Sequence, residues 1–165
     1  MTVCVLAAGP ALGADHRTVK LQDDCDPATF NAVLGPGTCE GDGRTLFGDL
    51  IAGAQQVGTV DGWQFSRPEF NIDAGGTIHV VNEGGEAHTF TMVERFGDGC
   101  IPDLNPGGLP GTPVADCTTI VPIPRDGTAD VTVESAGTVL FQCMIHPWMR
   151  STVDVRGRGN RGGRD

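Results

Sequence analysis

Aromatic and charged residues are scarce in this chain of 165 residues. Tyrosine is absent, aromatic residues make up 5% and charged residues 19%, which argues against a coiled coil or a bundle of amphipathic helices. No apolar run reaches the roughly 18 residues that a membrane-spanning helix needs. Glycine and proline, by contrast, number 25 and 11, which is typical of short strands joined by many turns. At this length we expect one domain.

The charge of the chain is strongly negative but unevenly distributed. The formal net charge is −10, although the last ten residues, 156–165, contain four arginines and one aspartate. The rest of the chain is therefore more acidic than the total suggests, and it would repel nucleic acid and anionic membranes. We expect no nucleic-acid partner, and we interpret the Arg/Gly-rich tail as a solvated, flexible end.

The first 14 residues are apolar and rich in small side chains, and charged residues begin directly after them. This stretch is typical of the apolar and cleavage regions of a secretory signal, although the positively charged start of a complete signal is missing. A buried N-terminal strand is the alternative. The secretory interpretation predicts export to the periplasm or the extracellular space, where disulfides can form.

The six cysteines do not all pair once the predicted signal is removed, because one of them lies within it. Proximity along the chain predicts two local disulfides, Cys25–Cys39 and Cys100–Cys117. Cys143 then remains single in an oxidising compartment, where a lone thiol is usually protected or bound to metal. This cysteine is therefore the first candidate functional residue, with an inert buried thiol as the alternative.

Helix and strand signals divide the chain near residue 62. Asp26 followed by Pro27 predicts the start of a short helix, and residues 45–56 predict a second one. Between residues 62 and 155, apolar residues alternate in about eight short segments bounded by turn residues, which indicates an antiparallel β-sandwich. We therefore expect an N-terminal extension with short helices at residues 15–61 and a sandwich domain at residues 62–155.

Three candidate metal donors lie within seven residues of one another after a predicted strand: Cys143, His146 and Met149. His88, in the predicted strand 86–94, supplies a second imidazole. Two histidines, one cysteine and a weakly bound methionine form the ligand set of a blue-copper electron-transfer site. Thiolate favours Cu(I) and imidazole suits Cu(II), so such a site changes oxidation state with little rearrangement. Zinc is the alternative metal, but its structural sites prefer four strong Cys or His ligands.

The Cys-x2-His-Pro-x-Met pattern of residues 143–149 resembles the C-terminal ligand loop of small cupredoxins of the amicyanin and plastocyanin type. Residues 72–82, followed by 86–90, are similar to the strand that leads to the first ligand histidine in that family. The resemblance covers about residues 62–155 and implies a Greek-key β-sandwich with copper near one end. Residues 15–61 have no counterpart in the minimal fold of the family.

The resemblance implies that His88, Cys143 and His146 are equatorial copper ligands and that Met149 is the axial one. Thr89 follows the first histidine where these relatives have asparagine, a departure that bears on the hydrogen bond tying their two ligand loops together. The implied function is the transfer of single electrons, outside the cytoplasm, by one type 1 copper ion that alternates between Cu(I) and Cu(II).

The cupredoxin resemblance also predicts where electrons enter and leave. His146 would be the electron port, flanked by Pro147 and Trp148 in an exposed apolar patch. The acidic body predicts a redox protein partner with a basic or apolar docking patch, and association rates that fall with added salt. We expect the protein to act as a monomer.

Other functions fit parts of the sequence. A non-redox copper carrier or scavenger would use the same ligands. A multicopper oxidase or nitrite reductase would need a second copper centre, and the chain has four histidines, two of them already assigned, so we expect no enzyme. Met144 is the alternative axial donor, although its place next to Cys143 in extended chain points it away. The acidic cluster at residues 23–26 lacks EF-hand spacing, so we interpret it as helix caps and a solvated face rather than a calcium site.

Overall fold

The computed structural model describes residues 15–157, so the predicted signal segment and residues 158–165 of the predicted tail lie outside the described residues. Within this range the elements follow in the order β1 His16–Gln22, α1 Pro27–Leu34, α2 Phe47–Gln56, β2 Gln64–Phe65, β3 Glu69–Asp73, β4 Gly76–Asn82, β5 Thr91–Val93, β6 Thr128–Val133, β7 Gly137–Gln142 and β8 Arg150–Arg156. Two short 3-10 helices, Pro102–Leu104 and Pro106–Gly108, lie between β5 and β6. None of the helices in this range is long and apolar enough to cross a membrane.

The strands form two four-stranded sheets, in the orders β2-β1-β4-β6 and β3-β8-β7-β5. The β-sandwich predicted from the sequence is therefore confirmed. Each sheet is mixed rather than antiparallel throughout, because β1 runs parallel to β4 and β3 runs parallel to β8. Parallel neighbours require a long crossover, and in both pairs the intervening chain visits the opposite sheet before it returns.

The sandwich begins well before the predicted boundary at residue 62. β1 pairs with β4 along most of its length and with β2 on its other edge. Val19 and Leu21 alternate with polar residues and are 0% exposed, so this strand belongs to the core. Residues 15–61 are therefore not an extension outside the sandwich. The part added to it is the β1–β2 connection, residues 23–63.

The β1–β2 connection folds around its two helices. Asp26 caps α1 as predicted, since its Oδ1 accepts a hydrogen bond of 2.7 Å from the backbone N–H of Thr29. Gly35, with a φ of 104°, ends this helix in a backbone conformation that favours glycine. Phe30 is fully buried and stacks on Trp63 with 6.1 Å between the ring centroids. The helices are thus packed against the chain that re-enters the sandwich.

Both disulfides have the pairing that proximity predicts. Cys25–Cys39 spans α1, and Cys100–Cys117 closes the loop that contains the two 3-10 helices. Among the described residues, Cys143 is the free cysteine, and it is buried. The thiol that the metal-site hypothesis needs is therefore kept out of both bridges.

Stacked aromatic rings hold together the two chain segments that lead to the candidate site. Phe90 stacks on Phe141 with ring centroids 4.2 Å apart and an interplanar angle of 10°. Phe90 comes two residues after His88, and Phe141 comes two residues before Cys143. Because both rings are buried in the core, their contact sets the separation of the two segments.

Candidate metal centre

His88 lies between β4 and β5, on a segment anchored by backbone hydrogen bonds. Its N–H donates to the carbonyl of Ile123 at 3.1 Å, and the N–H of Ile123 donates back to the carbonyl of His88 at 2.7 Å. Of the predicted strand 86–94, only this isolated bridge and β5 take part in sheet-like pairing. The bridge fixes the backbone of His88 without making it part of a regular strand.

Cys143 and His146 lie on the turn that joins β7 to β8. The N–H of Cys143 donates to the carbonyl of Met149 at 3.0 Å, and the N–H of Met149 donates to the carbonyl of His146 at 3.0 Å. These two bonds close the turn on itself. The ligand loop predicted from the sequence is therefore a compact turn at the same end of the sandwich as His88.

The structure brings the thiol and both imidazoles together. Sγ of Cys143 lies 3.9 Å from Nδ1 of His88 and 3.9 Å from Nδ1 of His146, and the two Nδ1 atoms are 3.2 Å apart. Cys143 and His88 are 0% exposed and His146 is 1% exposed. The three donor atoms therefore form a small triangle from which bulk water is excluded.

Thr89 ties the two loops of the site together. Its backbone N–H lies 3.4 Å from Sγ of Cys143, and its hydroxyl oxygen accepts a hydrogen bond of 2.8 Å from the N–H of Met144. The backbone N–H of His146 also approaches Sγ at 3.4 Å. Threonine thus makes a loop-to-loop hydrogen bond at the position where the cupredoxins it resembles have asparagine.

The charge states of the triangle depend on one another. Burial raises the pKa of the Cys143 thiol, but the two neighbouring imidazoles outweigh burial and bring this pKa well below its usual value. Burial lowers the pKa of His146, but Cys143 and Glu86 outweigh it and raise this pKa to about 9. Burial also lowers the pKa of His88, and contacts with Asp23 and Cys143 reverse the effect. The site thus favours a thiolate, which is the form that binds metal.

A buried carboxylate faces the outer nitrogen of His88. Oδ2 of Asp23 lies 2.8 Å from Nε2 of His88, and their side chains are 1% and 0% exposed. The backbone N–H groups of Cys25, Gly85 and Glu86 donate to the same carboxylate at 3.2, 3.0 and 2.9 Å. Burial raises the pKa of Asp23, but the hydrogen bonds from His88 and Glu86 outweigh it and lower the pKa to about 2. The prediction of a cap or solvated residue is wrong for Asp23.

Glu86 lies beside the outer nitrogen of His146, but at a longer distance than Asp23 from His88. Its Oε2 lies 3.4 Å from Nε2 of His146. This Nε2 is buried and has no hydrogen-bond partner among the described residues. Instead, Oε2 accepts a hydrogen bond of 3.0 Å from the indole N–H of Trp63. The carboxylate is therefore held by the β1–β2 connection rather than by the imidazole.

The two methionines of the ligand turn are both buried. Met149 is 1% exposed and belongs to the main core, while Met144 is 0% exposed. The backbone of Met149 closes the turn, as described above. Its role as the axial ligand stays a prediction that rests on the resemblance to cupredoxins.

His146 is not exposed in the way that an electron port at the surface requires. It is 1% exposed, Pro147 is buried and Trp148 is partly buried, so these residues do not form the predicted exposed apolar patch. A cavity of about 590 Å³ lies at this end, lined by His146, by the ligand turn and by both helices of the β1–β2 connection. Leu34 and Ile101 line the same cavity and are 49% and 40% exposed, so apolar surface reaches solvent beside it.

Sequence reasoning missed Asp23, Glu86 and Trp63 as neighbours of the site. Asp23 is 65 positions from His88, and no local motif links the two. The alternation of Val19 and Leu21 with polar residues was the available signal, since it identifies β1 and places the next residues at a strand end.

The donor set fits copper. One thiolate and two imidazole nitrogens are the three equatorial donors of a type 1 site, whereas structural zinc sites use four strong ligands. A second group of possible donors, Asp23, Cys25 and Glu86, lies nearby. It offers no thiolate, because Cys25 is in a disulfide.

No protein-family model matches this chain, and no curated protein matches it. Solved structures of cupredoxins are similar to it in fold. Amicyanin from Paracoccus versutus is 23% identical over 59% of this chain and 76% of that chain, with a TM-score of 0.39. A purple cupredoxin from Nitrosopumilus maritimus is 13% identical over 85% of this chain and 99% of that chain, with a TM-score of 0.48. The likeness to the cupredoxin family is structural and of low identity, so the function of the site must be argued from its own residues.

Proposed function

We propose that this chain is a type 1 copper protein that carries single electrons between redox partners outside the cytoplasm. The observation that carries the proposal is the buried triangle formed by Sγ of Cys143 and Nδ1 of His88 and His146. These residues would hold the copper, with Met149 as the axial donor implied by the resemblance. Bound there, copper would supply a one-electron couple between Cu(II) and Cu(I).

The residues around the triangle favour a site that changes little between two oxidation states. The N–H groups of Thr89 and His146 point at the Cys143 sulfur and stabilise its negative charge. The hydroxyl of Thr89 fixes the second loop, and the stacked rings of Phe90 and Phe141 fix the strands below. Because the donor atoms are held from several sides, they would keep their positions when the oxidation state changes, and a small rearrangement favours electron transfer.

The disulfides and the surface chemistry support the proposed compartment and the proposed kind of partner. Two disulfides suit an oxidising compartment, in agreement with export. With His146 covered, the exposed apolar side chains of Leu34 and Ile101 on the cavity lining offer a surface that a partner can reach. A partner with an apolar patch surrounded by basic residues would complement it, given the net charge of −10.

Titration of the metal-free protein with Cu(II) tests the proposal. We expect an intense thiolate-to-copper absorption band in the visible range, one copper per chain and a reversible wave in voltammetry. Cys143→Ser and His88→Gln should lose the band. His79→Gln is the matched control, because His79 is paired with Asp130 on the exposed face of β4 and should leave the band unchanged. Absence of the band in the unmodified protein refutes the proposal.

Burial of the whole triangle favours a second candidate, a copper carrier or scavenger without redox turnover. An enclosed site retains its metal well but limits contact with a redox partner. Voltammetry separates the two functions on the same sample. A blue protein that does not cycle reversibly, and does not exchange electrons with small redox mediators, supports the carrier.

A further inference from the structure

We propose that Asp23 is a positioning residue of the metal centre, which holds His88 in the tautomer that offers Nδ1 to the metal. This inference rests on the proposed function, and it assigns a role in that function to the β1–β2 connection. Asp23 is the first residue after β1, so the centre would depend on a segment that lies outside both ligand loops.

The hydrogen bonds of Asp23 determine which nitrogen of the neutral His88 ring carries the hydrogen. The carboxylate receives three backbone N–H groups in addition to the imidazole nitrogen. A carboxylate with this many donors acts only as an acceptor, so Nε2 of His88 must carry the hydrogen that it shares with Oδ2. A neutral imidazole has one N–H, and Nδ1 is therefore left with a free lone pair. That lone pair is on the atom that faces Cys143 and His146.

The close approach of the two side chains is built into the backbone. Gly84 lies against them, and a Cβ at this position would overlap Oδ2 of Asp23 and lie 3.0 Å from Nε2 of His88. The N–H of Gly84 is held by the side-chain oxygen of Asn82 at 2.9 Å, which fixes this stretch of chain. Any larger residue at position 84 would therefore push the carboxylate away from the ring.

The second imidazole lacks an equivalent support. Nε2 of His146 is 3.4 Å from Glu86, and it has no hydrogen-bond partner among the residues that the structure describes. The two ligand histidines are thus held unequally, and the Asp23–His88 contact is the stronger orienting interaction. Partners of this kind typically change metal affinity 10- to 100-fold when they are removed.

The test compares copper binding by the full chain and three variants, using competition with a chelator of known affinity. Asp23→Asn replaces one acceptor oxygen by an N–H₂ group that faces backbone N–H donors, so we expect copper affinity to fall about 10- to 100-fold. Gly84→Ala should act in the same direction. Asp24→Asn is the matched control, because its carboxylate contacts the Thr45 hydroxyl rather than the site, and its affinity should stay within about twofold.

A second readout uses the metal-free protein, at a pH that leaves the imidazole neutral. Nitrogen NMR should show His88 with hydrogen on Nε2 in the unmodified chain and a mixture of tautomers in Asp23→Asn. Unchanged affinity together with an unchanged tautomer in Asp23→Asn and Gly84→Ala overturns the inference. If the unmodified chain binds no copper, the proposed function fails, while the NMR comparison still decides the role of Asp23. If Asp23→Asn does not fold, Gly84→Ala decides both readouts.

Discussion

The hydrogen bond between Thr89 and Met144 allows the joining of the two ligand loops to be tested without metal. Thr89 is 0% exposed, and its hydroxyl oxygen accepts the N–H of Met144 at 2.8 Å. The same oxygen also accepts the hydroxyl of Thr91 at 3.0 Å. Thr89→Val keeps the shape of the side chain but removes the acceptor. The buried N–H of Met144 is then left unpaired.

The size of the effect follows from that unpaired group. A buried donor without a partner costs about 1–3 kcal/mol, whereas an ordinary hydrogen bond contributes about 1 kcal/mol net. We therefore expect Thr89→Val to lower the free energy of unfolding of the metal-free protein by about 2 kcal/mol. For a chain of this size, that corresponds to a fall in melting temperature of about 4–8 °C.

Urea unfolding with intact disulfides, followed by tryptophan fluorescence, measures this loss. The midpoint should fall at constant slope, which would place the effect in the folded state. Thr89→Ser keeps the hydroxyl and should lose less than Thr89→Val. Thr91→Val removes only the hydroxyl that donates to Thr89 and leaves the Thr89–Met144 hydrogen bond in place, so we expect a cost below about 1 kcal/mol. A stability of Thr89→Val within about 0.5 kcal/mol of the unmodified protein, or an equal loss in Thr91→Val, would show that the Thr89–Met144 hydrogen bond does not join the two loops in this way.

Three further predictions concern the β1–β2 connection, and each is measured by urea unfolding of the metal-free protein. Phe30→Ala should cost about 3–5 kcal/mol because this ring is fully buried, while Val33→Ala, at a side chain that is 62% exposed, should cost less than about 0.5 kcal/mol; equal costs would contradict the packing of α1. Replacing Cys25 and Cys39 together by serine should cost about 3 kcal/mol, since their separation of 14 residues closes a short loop; an unchanged midpoint would count against this. Asp23 has its pKa lowered from 3.8 to about 2 on folding, so its stabilisation is complete above pH 3.8 and is lost as the pH falls through about 2. This loss of stability should be about 2 kcal/mol in the unmodified protein and absent in Asp23→Asn. An Asp23→Asn variant that loses stability in acid to the same extent as the unmodified protein would contradict the prediction.

The ligand turn was predictable because its chemistry is local. Cys143 and His146 stand three residues apart just after a strand, so a single turn brings them together wherever the sandwich lies. The disulfides were predictable for the same reason, since each joins nearby residues. No local pattern identified His88 as a ligand. Only the resemblance of its flanking residues to cupredoxins distinguished it from a buried core histidine.

The enclosure of the site was not predictable from local patterns. Asp23 approaches His88 only because β1 pairs with β4 in one particular register, and that register is a property of the whole sheet. Trp63 of the β1–β2 connection lies against the His146 ring, with 6.3 Å between the ring centroids, and the helical periodicity of this segment does not specify that contact. The predicted domain boundary at residue 62 therefore put the segment that supports the site in a different part of the protein from the site itself.

The two buried carboxylates have a joint consequence for a metal held by the triangle. Asp23 and Glu86 each face the outer nitrogen of one imidazole, and their side chains are 1% and 8% exposed. Because both side chains are buried, solvent screens their charge less than it screens a charge at the surface, and their effect on the site is correspondingly stronger. In a copper ion held there as proposed, this charge would stabilise Cu(II) relative to Cu(I). Asp23 belongs to the β1–β2 connection, and Glu86 is held by Trp63 of the same connection. If copper binds as proposed, the two carboxylates would therefore lower the tendency of the site to accept an electron.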